Sequence, residues 1–317
     1  VVLVLLAAAW TSTPSAERMG YAPEEFTTRR QRLANALERG TVVMFGETTA
    51  APGLRFRQDH DFFYLTGNES LHATLVMDAA TGESHLFLPK LAAGEIRYEG
   101  GNWLEERDAA RTRGFASIQP LQALQEFISR RREVAGARLW TRLSERDTVN
   151  GGRDDAALAL LRRRVNPLTQ YPTEDALRVA SLKDRFPRYD VQDVTPHLDR
   201  LRLHKTPREI EILRYNGRIS AEAMRRAIQA TAPERFEYEL EAEATHWMFT
   251  HGLQAAAYPA IVASGPMGNR WHYEDNGRQM KAGELVAMLF DEGGGGGRVV
   301  EGRDQHLADE HLRDAGG

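Results

Sequence analysis

The tetrapeptide Thr206-Pro207-Arg208-Glu209 divides this chain into two stretches with different folding rules. A hydroxyl residue able to accept from an early helical N–H is followed by a proline where no donor is needed. A glutamate then stands three residues past the hydroxyl, so a capping box opens a helix at this point. Ile210, Leu213, Gly217, Ala221, Met224 and Ile228 follow at three- and four-residue spacing and predict one buried stripe, which Pro233 ends. Phe236, Leu240, Ala244, Trp247 and Met248 predict a second amphipathic helix, closed by Gly252. Strands are expected over Tyr258 to Ser264 and Leu285 to Leu289, and the loop between them carries Gly265, Gly268, Asn269 and His272. A loop held between strands is a natural place for chemistry.

Upstream of the capping box, short apolar runs alternate with helical stretches, the pattern of a mixed α/β domain. Thr28 to Leu37 reads as a helix and Thr41 to Gly46 as a buried strand. Phe62-Phe63-Tyr64-Leu65-Thr66-Gly67 reads as a second, aromatic strand. Ala73 to Met77 and Ser84 to Leu88 flank Asp78-Ala-Ala-Thr-Gly82, whose Asp and Gly suit a hairpin turn. Leu121 to Arg132 spaces its apolar residues as a surface helix with a basic face. Arg162-Arg163-Arg164 closes a helix running from Asp155, where cations favour the negative end of the dipole. Arg178 to Leu203 reads as helix, turn and helix.

Composition narrows the functions. The chain has 41 Lys plus Arg against 45 Asp plus Glu, a net charge of −4, too mild for electrostatic capture of nucleic acid. No cysteine is present, so thiol nucleophiles and cysteine zinc sites are excluded and any metal must be held by carboxylates and histidines. Val1 to Ala9 is an unbroken apolar run followed by small and polar residues through Ala16, which reads as a signal-peptide core and predicts export to the periplasm or outside the cell; the alternative is an amphipathic or buried N-terminal strand of a cytoplasmic protein. The run is too short to span a bilayer.

Three segments, in this order, resemble the aminopeptidase P and prolidase group of pita-bread metallopeptidases. They are Phe56-Arg57-Gln58-Asp59-His60-Asp61-Phe62-Phe63-Tyr64-Leu65-Thr66-Gly67, then Leu201 to Ile210 around the capping box, then Tyr258 to Gly265 with His272-Tyr273 and Lys281 to Met288. The resemblance implies an α/β N-terminal domain of the creatinase and aminopeptidase P type, followed by an incomplete α+β pita-bread catalytic domain. On this basis residues 1–22 are expected to be a leader, 23–170 the N-terminal domain, 171–204 a helical linker, 205–288 the start of the pita-bread domain and 289–317 a divergent tail.

The resemblance also implies two Mn2+ ions held by two Asp, one His and two Glu. Hard oxygen ligands suit manganese, and a pair of ions can lower the pKa of a bridging water to make hydroxide. Substrates would be peptides with proline at the second position, with further copies of the chain as the other partner to consider. His272 matches the family histidine that lies beside the substrate and assists the tetrahedral intermediate. Asp291 is the candidate first metal ligand, although it stands two residues beyond the expected place. Past Met288 the pattern departs from the family's, and Gly293 to Asp314 offers no counterpart of the remaining ligands. The expected cause is a change of reading frame or gene model near Met288, leaving a chain with little or no activity. His306, Glu310 and His311 are read as surface charge, since no HExxH pattern accompanies them. An Xaa-Pro dipeptidase and a non-catalytic dimerisation or binding module are the competing readings.

Overall fold

The computed structural model describes residues 20–50, 56–135, 137–147, 153–253, 256 and 258–290. The leader run Val1 to Ala9, Asp291 and the tail with His306, Glu310 and His311 lie outside the described residues.

The first unit is a six-stranded sheet with helices on both faces. Its strands are β1 (Thr41–Phe45), β2 (Thr74–Asp78), β3 (Ser84–Leu88), β4 (Ser117–Pro120), β5 (Arg138–Thr141) and β6 (Asp190–Asp193), in spatial order β4-β3-β2-β1-β5-β6. β1, β2 and β3 pair antiparallel in sequence, and Thr41 faces Asp78 while Thr74 faces Phe87. The outer strands β4, β5 and β6 join parallel.

Because successive strand side chains point to opposite faces, the continuous apolar runs of β1 to β3 feed two cores at once. Val42, Met44, Leu75, Met77, Leu86 and Leu88 meet helix α1 (Pro23–Leu37) on one side. Val43, Val76 and Phe87 meet Ile128, Leu182, Phe186 and Tyr189 on the other. Ile128 comes from α5 (Leu124–Ala135) and Leu182 from α7 (Glu174–Arg185). The intervening short helices are α3 (Ala93–Glu99) and α4 (Ala109–Thr112), and α6 (Arg153–Val165) precedes α7. α6 ends on Arg162, Arg163 and Arg164 as expected, with Arg163 lying 4.2 Å over the Tyr171 ring.

Three expectations are corrected. Phe62 to Gly67 is not a strand: His60–Thr66 forms helix α2, with the Asp59 side chain accepting from Phe62 N at 2.8 Å and Gly67 closing it at φ 64°. Asp61 to Thr66 are all buried, so tertiary burial overrides the β preference of the aromatic residues. Gly67 fits because an added Cβ would stand 2.6 Å from the Phe26 ring. The stretch 171–204 is not simply helical either, since its turn region forms β6 beside β5 and α8 (Thr195–Leu203) follows it. With Val191 its only apolar residue, β6 is an edge strand too short and polar to show a period.

The third correction concerns α9 (Pro207–Ala230). The capping box is present, with Glu209 N donating to Thr206 Oγ1 at 3.3 Å and Thr206 N donating to Glu209 at 2.7 Å. The buried positions, however, are Glu209, Ile212, Asn216, Ile219, Ala223 and Ala227, while Ile210 and Ile228 are exposed. The helix is rotated from the expected stripe because its first turn joins the α/β unit: Glu209 pairs with buried Arg29 at 2.9 Å, and Ile212 enters the first core.

α9 packs along α10 (Glu237–Thr250), and Ala223, Ala227, Leu240, Ala244 and Met248 form their shared core with Val262. The strands are β7 (Ile261–Ser264) and β8 (Val286–Leu289), antiparallel, with Ile261 opposite Leu289. Among the described residues no helix is long and apolar enough to cross a membrane.

Candidate active-site loop

The segment from Gly265 to Lys281 leaves β7 and returns toward β8, and it is held at fixed points from below. β7 ends at Ser264, fully buried, and a 3-10 turn over Gly265–Asn269 carries the chain to the surface. Gly265 has φ 53°, and a Cβ there would approach Glu284 Oε1 to 2.7 Å, so both conformation and space call for glycine. Trp271 is 90% exposed and His272 is exposed, whereas the next residue, Tyr273, is 5% exposed. Asn276, 2% exposed at φ 43°, ties the far side down: its Oδ1 accepts from Val262 N at 2.8 Å and its Nδ2 donates to Ala260 O and Glu241.

The anchor of this loop is Glu237, with no exposed surface. Its Oε1 accepts from Ser264 N at 2.6 Å and Ser264 Oγ at 2.7 Å; its Oε2 accepts from Tyr273 OH at 2.8 Å and Arg278 N at 2.9 Å. The main chain repeats the tie, Glu237 N donating to Arg278 O at 3.0 Å. Burial works against the anion, but the donors from Ser264, Arg278 and Tyr273 outweigh it and hold the Glu237 carboxyl below the usual carboxylate range. The Tyr273 phenol is pushed up, first by burial and then by its hydrogen bond to Glu237 and the Glu237 charge. Arg278 completes the layer, donating to Ser264 Oγ at 2.7 Å and to both oxygens of Glu284 at 2.6 and 2.5 Å.

His272 is thus where the sequence places it, in the loop between β7 and β8, and it is carried outward by a buried neighbour. Glu237, Ser264, Tyr273 and Arg278 were not singled out from the sequence. Glu237 lies 27, 36 and 41 residues from its three partners, and an acidic residue in the first turn of a helix already has a reason to be there in the dipole.

The described residues do not by themselves fit a dinuclear metal centre: among them no three His, Asp or Glu side chains converge to hold an ion. The carboxylates that hold this loop from below are already engaged, Glu237 by four donors, Glu241 by Asn276 and Glu284 by Arg278, and the loop's own Glu274 and Asp275 are exposed.

The α/β unit contains a second group of buried charges. Arg142 donates to Asp59 at 2.7 Å, Arg202 donates to Asp61 at 2.6 Å, and Arg142 also lies 3.4 Å from Asp61 and 3.6 Å from Asp175. Burial disfavours both guanidinium charges, but the surrounding carboxylates raise both pKa values. Beside Arg142, Asp175 and Arg178 the cavity is about 10 Å³, room for little more than a water molecule. That cluster is structural.

Comparison with known proteins accords with the two-part architecture. Residues 26–140 match the model of the aminopeptidase P N-terminal domain, and residues 211–294 match the metallopeptidase family M24. The chain belongs to the aminopeptidase P and M24 metallopeptidase family. It is 30% identical over 283 residues to the Xaa-Pro aminopeptidase of Escherichia coli, covering 85% of this chain and 58% of that protein. The human Xaa-Pro dipeptidase is 27% identical over 288 residues, covering 85% and 52%. Among solved structures, proline aminopeptidase P II of Yersinia pestis superposes with a TM-score of 0.68 at 26% identity, over 87% of this chain and 61% of that one. The chain therefore spans between one half and two thirds of the length of these relatives. The aminopeptidase P N-terminal α/β unit and the M24 pita-bread segment that follow from these matches are the fold class expected from the sequence. M24 enzymes typically bind a pair of metal ions.

Proposed function

We propose that this protein is an Xaa-Pro aminopeptidase-like metallopeptidase, acting on the amide bond between an N-terminal residue and a following proline, with low activity expected from residues 1–317 alone. The observation that carries the reading is the joint presence, in family order, of the aminopeptidase P N-terminal unit and an M24 segment that presents His272 from an anchored loop. In this reading the imidazole of His272 hydrogen-bonds the oxyanion as the scissile carbonyl becomes tetrahedral, a charge that exists only transiently and is best met by a prepositioned donor. Two Mn2+ ions would supply the nucleophilic hydroxide. The described residues do not furnish their ligand set, and Asp291 is the one ligand proposed from this chain. The Val1 to Ala9 run supports export as the setting.

The human relative favours one alternative, an Xaa-Pro dipeptidase. Release of arginine from an Arg-Pro-Pro peptide with added Mn2+, set beside hydrolysis of a Gly-Pro dipeptide, separates the two. Turnover of the tripeptide that His272→Ala lowers by about 100-fold is the expected result, the scale of losing one oxyanion donor. No turnover of either substrate, together with no Mn2+ uptake by calorimetry, overturns the enzymatic reading and leaves a binding module.

A further inference from the structure

We propose that Glu237 is the positioning residue of the His272 loop, acting through Tyr273. This rests on the assignment of His272 to the reaction, but the geometry behind it is independent of that assignment.

Four donors converge on one buried carboxylate, and they come from both ends of the loop. Ser264 marks the exit from β7, Arg278 the return, and Tyr273 the middle, at 2.6 to 2.9 Å. Tyr273 is the immediate neighbour of His272, and its phenol reaches down to Glu237 while the exposed His272 stands on the outer side. The Tyr273 hydrogen bond therefore sets the height and direction of the backbone that carries the imidazole. Glu237 itself sits in the first turn of α10, whose Leu240, Ala244 and Met248 are locked into the α9 core. The imidazole is referred to a rigid helix rather than to other loop residues. Functional groups need such support, because a displacement of about 1 Å can cost about 100-fold in rate.

The neutral donors suit this task. The Arg278 guanidinium does not donate to Glu237 directly, since it is taken by Glu284 and Ser264. The four donors instead come from three separate residues, so one carboxylate stitches three places of the chain together.

The test uses Tyr273→Phe, which keeps the buried ring and removes only the phenolic donor, beside Glu237→Gln, which keeps the shape and removes the charge. The His272 ring resonances, followed by 1H–13C NMR, report the loop directly. Trypsin cleavage after Arg270 in the same loop reports its opening, and kcat and KM on Arg-Pro-Pro report the consequence. Expected for Tyr273→Phe are a cooperative thermal transition close to that of the wild type, shifted His272 resonances, roughly 10-fold faster cleavage, and a kcat lowered about 10-fold to 100-fold at unchanged KM. Unchanged His272 resonances and unchanged cleavage in Tyr273→Phe overturn the proposal. A loss that appears only in KM overturns it as well. If Glu237→Gln does not fold, Tyr273→Phe decides alone. If the wild-type protein shows no turnover, the assignment of His272 fails while the NMR and cleavage arms still decide whether Glu237 positions the loop.

Discussion

Asp61 in the α/β unit and Glu237 in the M24 segment are buried to the same degree, 1% and 0% exposed, and they are stabilised by different partners. Asp61 is met by opposite charge, Arg202 at 2.6 Å and Arg142 at 3.4 Å. Glu237 is met by main-chain N–H groups and two hydroxyls. A paired charge forms a closed knot: the Arg142 cluster joins α2, the end of β5, α7 and α8, and the cavity beside Arg142 and Asp175 is only about 10 Å³. A carboxylate held by neutral donors instead fixes the path of one loop and leaves its outer side open. The N-terminal unit uses buried charge to make a rigid platform, and the second segment uses it to aim a side chain.

The contrast is broken most directly at Asp61. Asp61→Ala takes the 2.6 Å acceptor from buried Arg202, whose next carboxylate, Asp147, stands at 3.6 Å, while Arg142 keeps Asp59 at 2.7 Å; the expected loss is about 3–5 kcal/mol, the cost of removing one partner of a buried pair. Urea denaturation at neutral pH measures it, and a loss under about 1 kcal/mol would mean that water reaches the cluster. Glu237→Gln should cost less, about 1.5–3 kcal/mol, because neutral donors lose a charge-assisted acceptor but are not themselves left as bare charges. Its pH dependence has a definite sign. The folded pKa of Glu237 lies below the ordinary value, so its contribution is complete above the ordinary glutamate range and is lost as pH falls through the folded value. The stability difference between wild type and Glu237→Gln should therefore shrink on acidification; a difference that stays constant down to acid unfolding contradicts the assignment.

The two regions also differ in how much of them is visible in the sequence. β1 and the β2–β3 hairpin were legible because runs such as Thr41 to Phe45 and the Asp78 to Gly82 turn are local signals. α2 was not, because Phe62, Phe63, Tyr64 and Leu65 favour strands in isolation; the Asp59 and Gly67 caps that contradict them were present but carry less weight than four large apolar residues. For α9 the start was legible and the face was not. A stripe at Ile210 and Ile228 has the right period, but a contact 180 residues away, Arg29 with Glu209, sets the rotation. The site divides in the same way: His272 stands in a motif, while Glu237 gains its meaning only when Ser264, Tyr273 and Arg278 are folded around it.

Glu209, where the two regions meet, combines both devices and so tests whether they are separable. It accepts from Thr206 N, a neutral donor, at 2.7 Å and pairs with Arg29 at 2.9 Å. Thr206→Ala removes the side-chain cap on Glu209 N and leaves the Arg29 pair, so the expected loss is about 1 kcal/mol, that of a helix cap. A loss of 3 kcal/mol or more in denaturant melts would show that the cap and the ion pair form one cooperative unit.

The smallest effect is expected at Glu47, half-buried beside Arg146 at 2.5 Å. Burial is the leading influence there and exceeds the pull of Arg146, so the carboxyl is raised above its ordinary value, opposite to Glu237. A raised group contributes stability below its unfolded pKa and loses that contribution as pH rises through the folded value. Glu47→Gln should therefore gain on the wild type as pH climbs from about 4 to about 7, by under about 1 kcal/mol because the site keeps part of its hydration. In paired denaturation curves Glu47→Gln should diverge from the wild type over that range, and Glu237→Gln should shift relative to the wild type below it, as acid titrates the lowered Glu237 carboxyl. Parallel curves would show that both carboxylates are stabilised in the same way and would remove the distinction between the two regions.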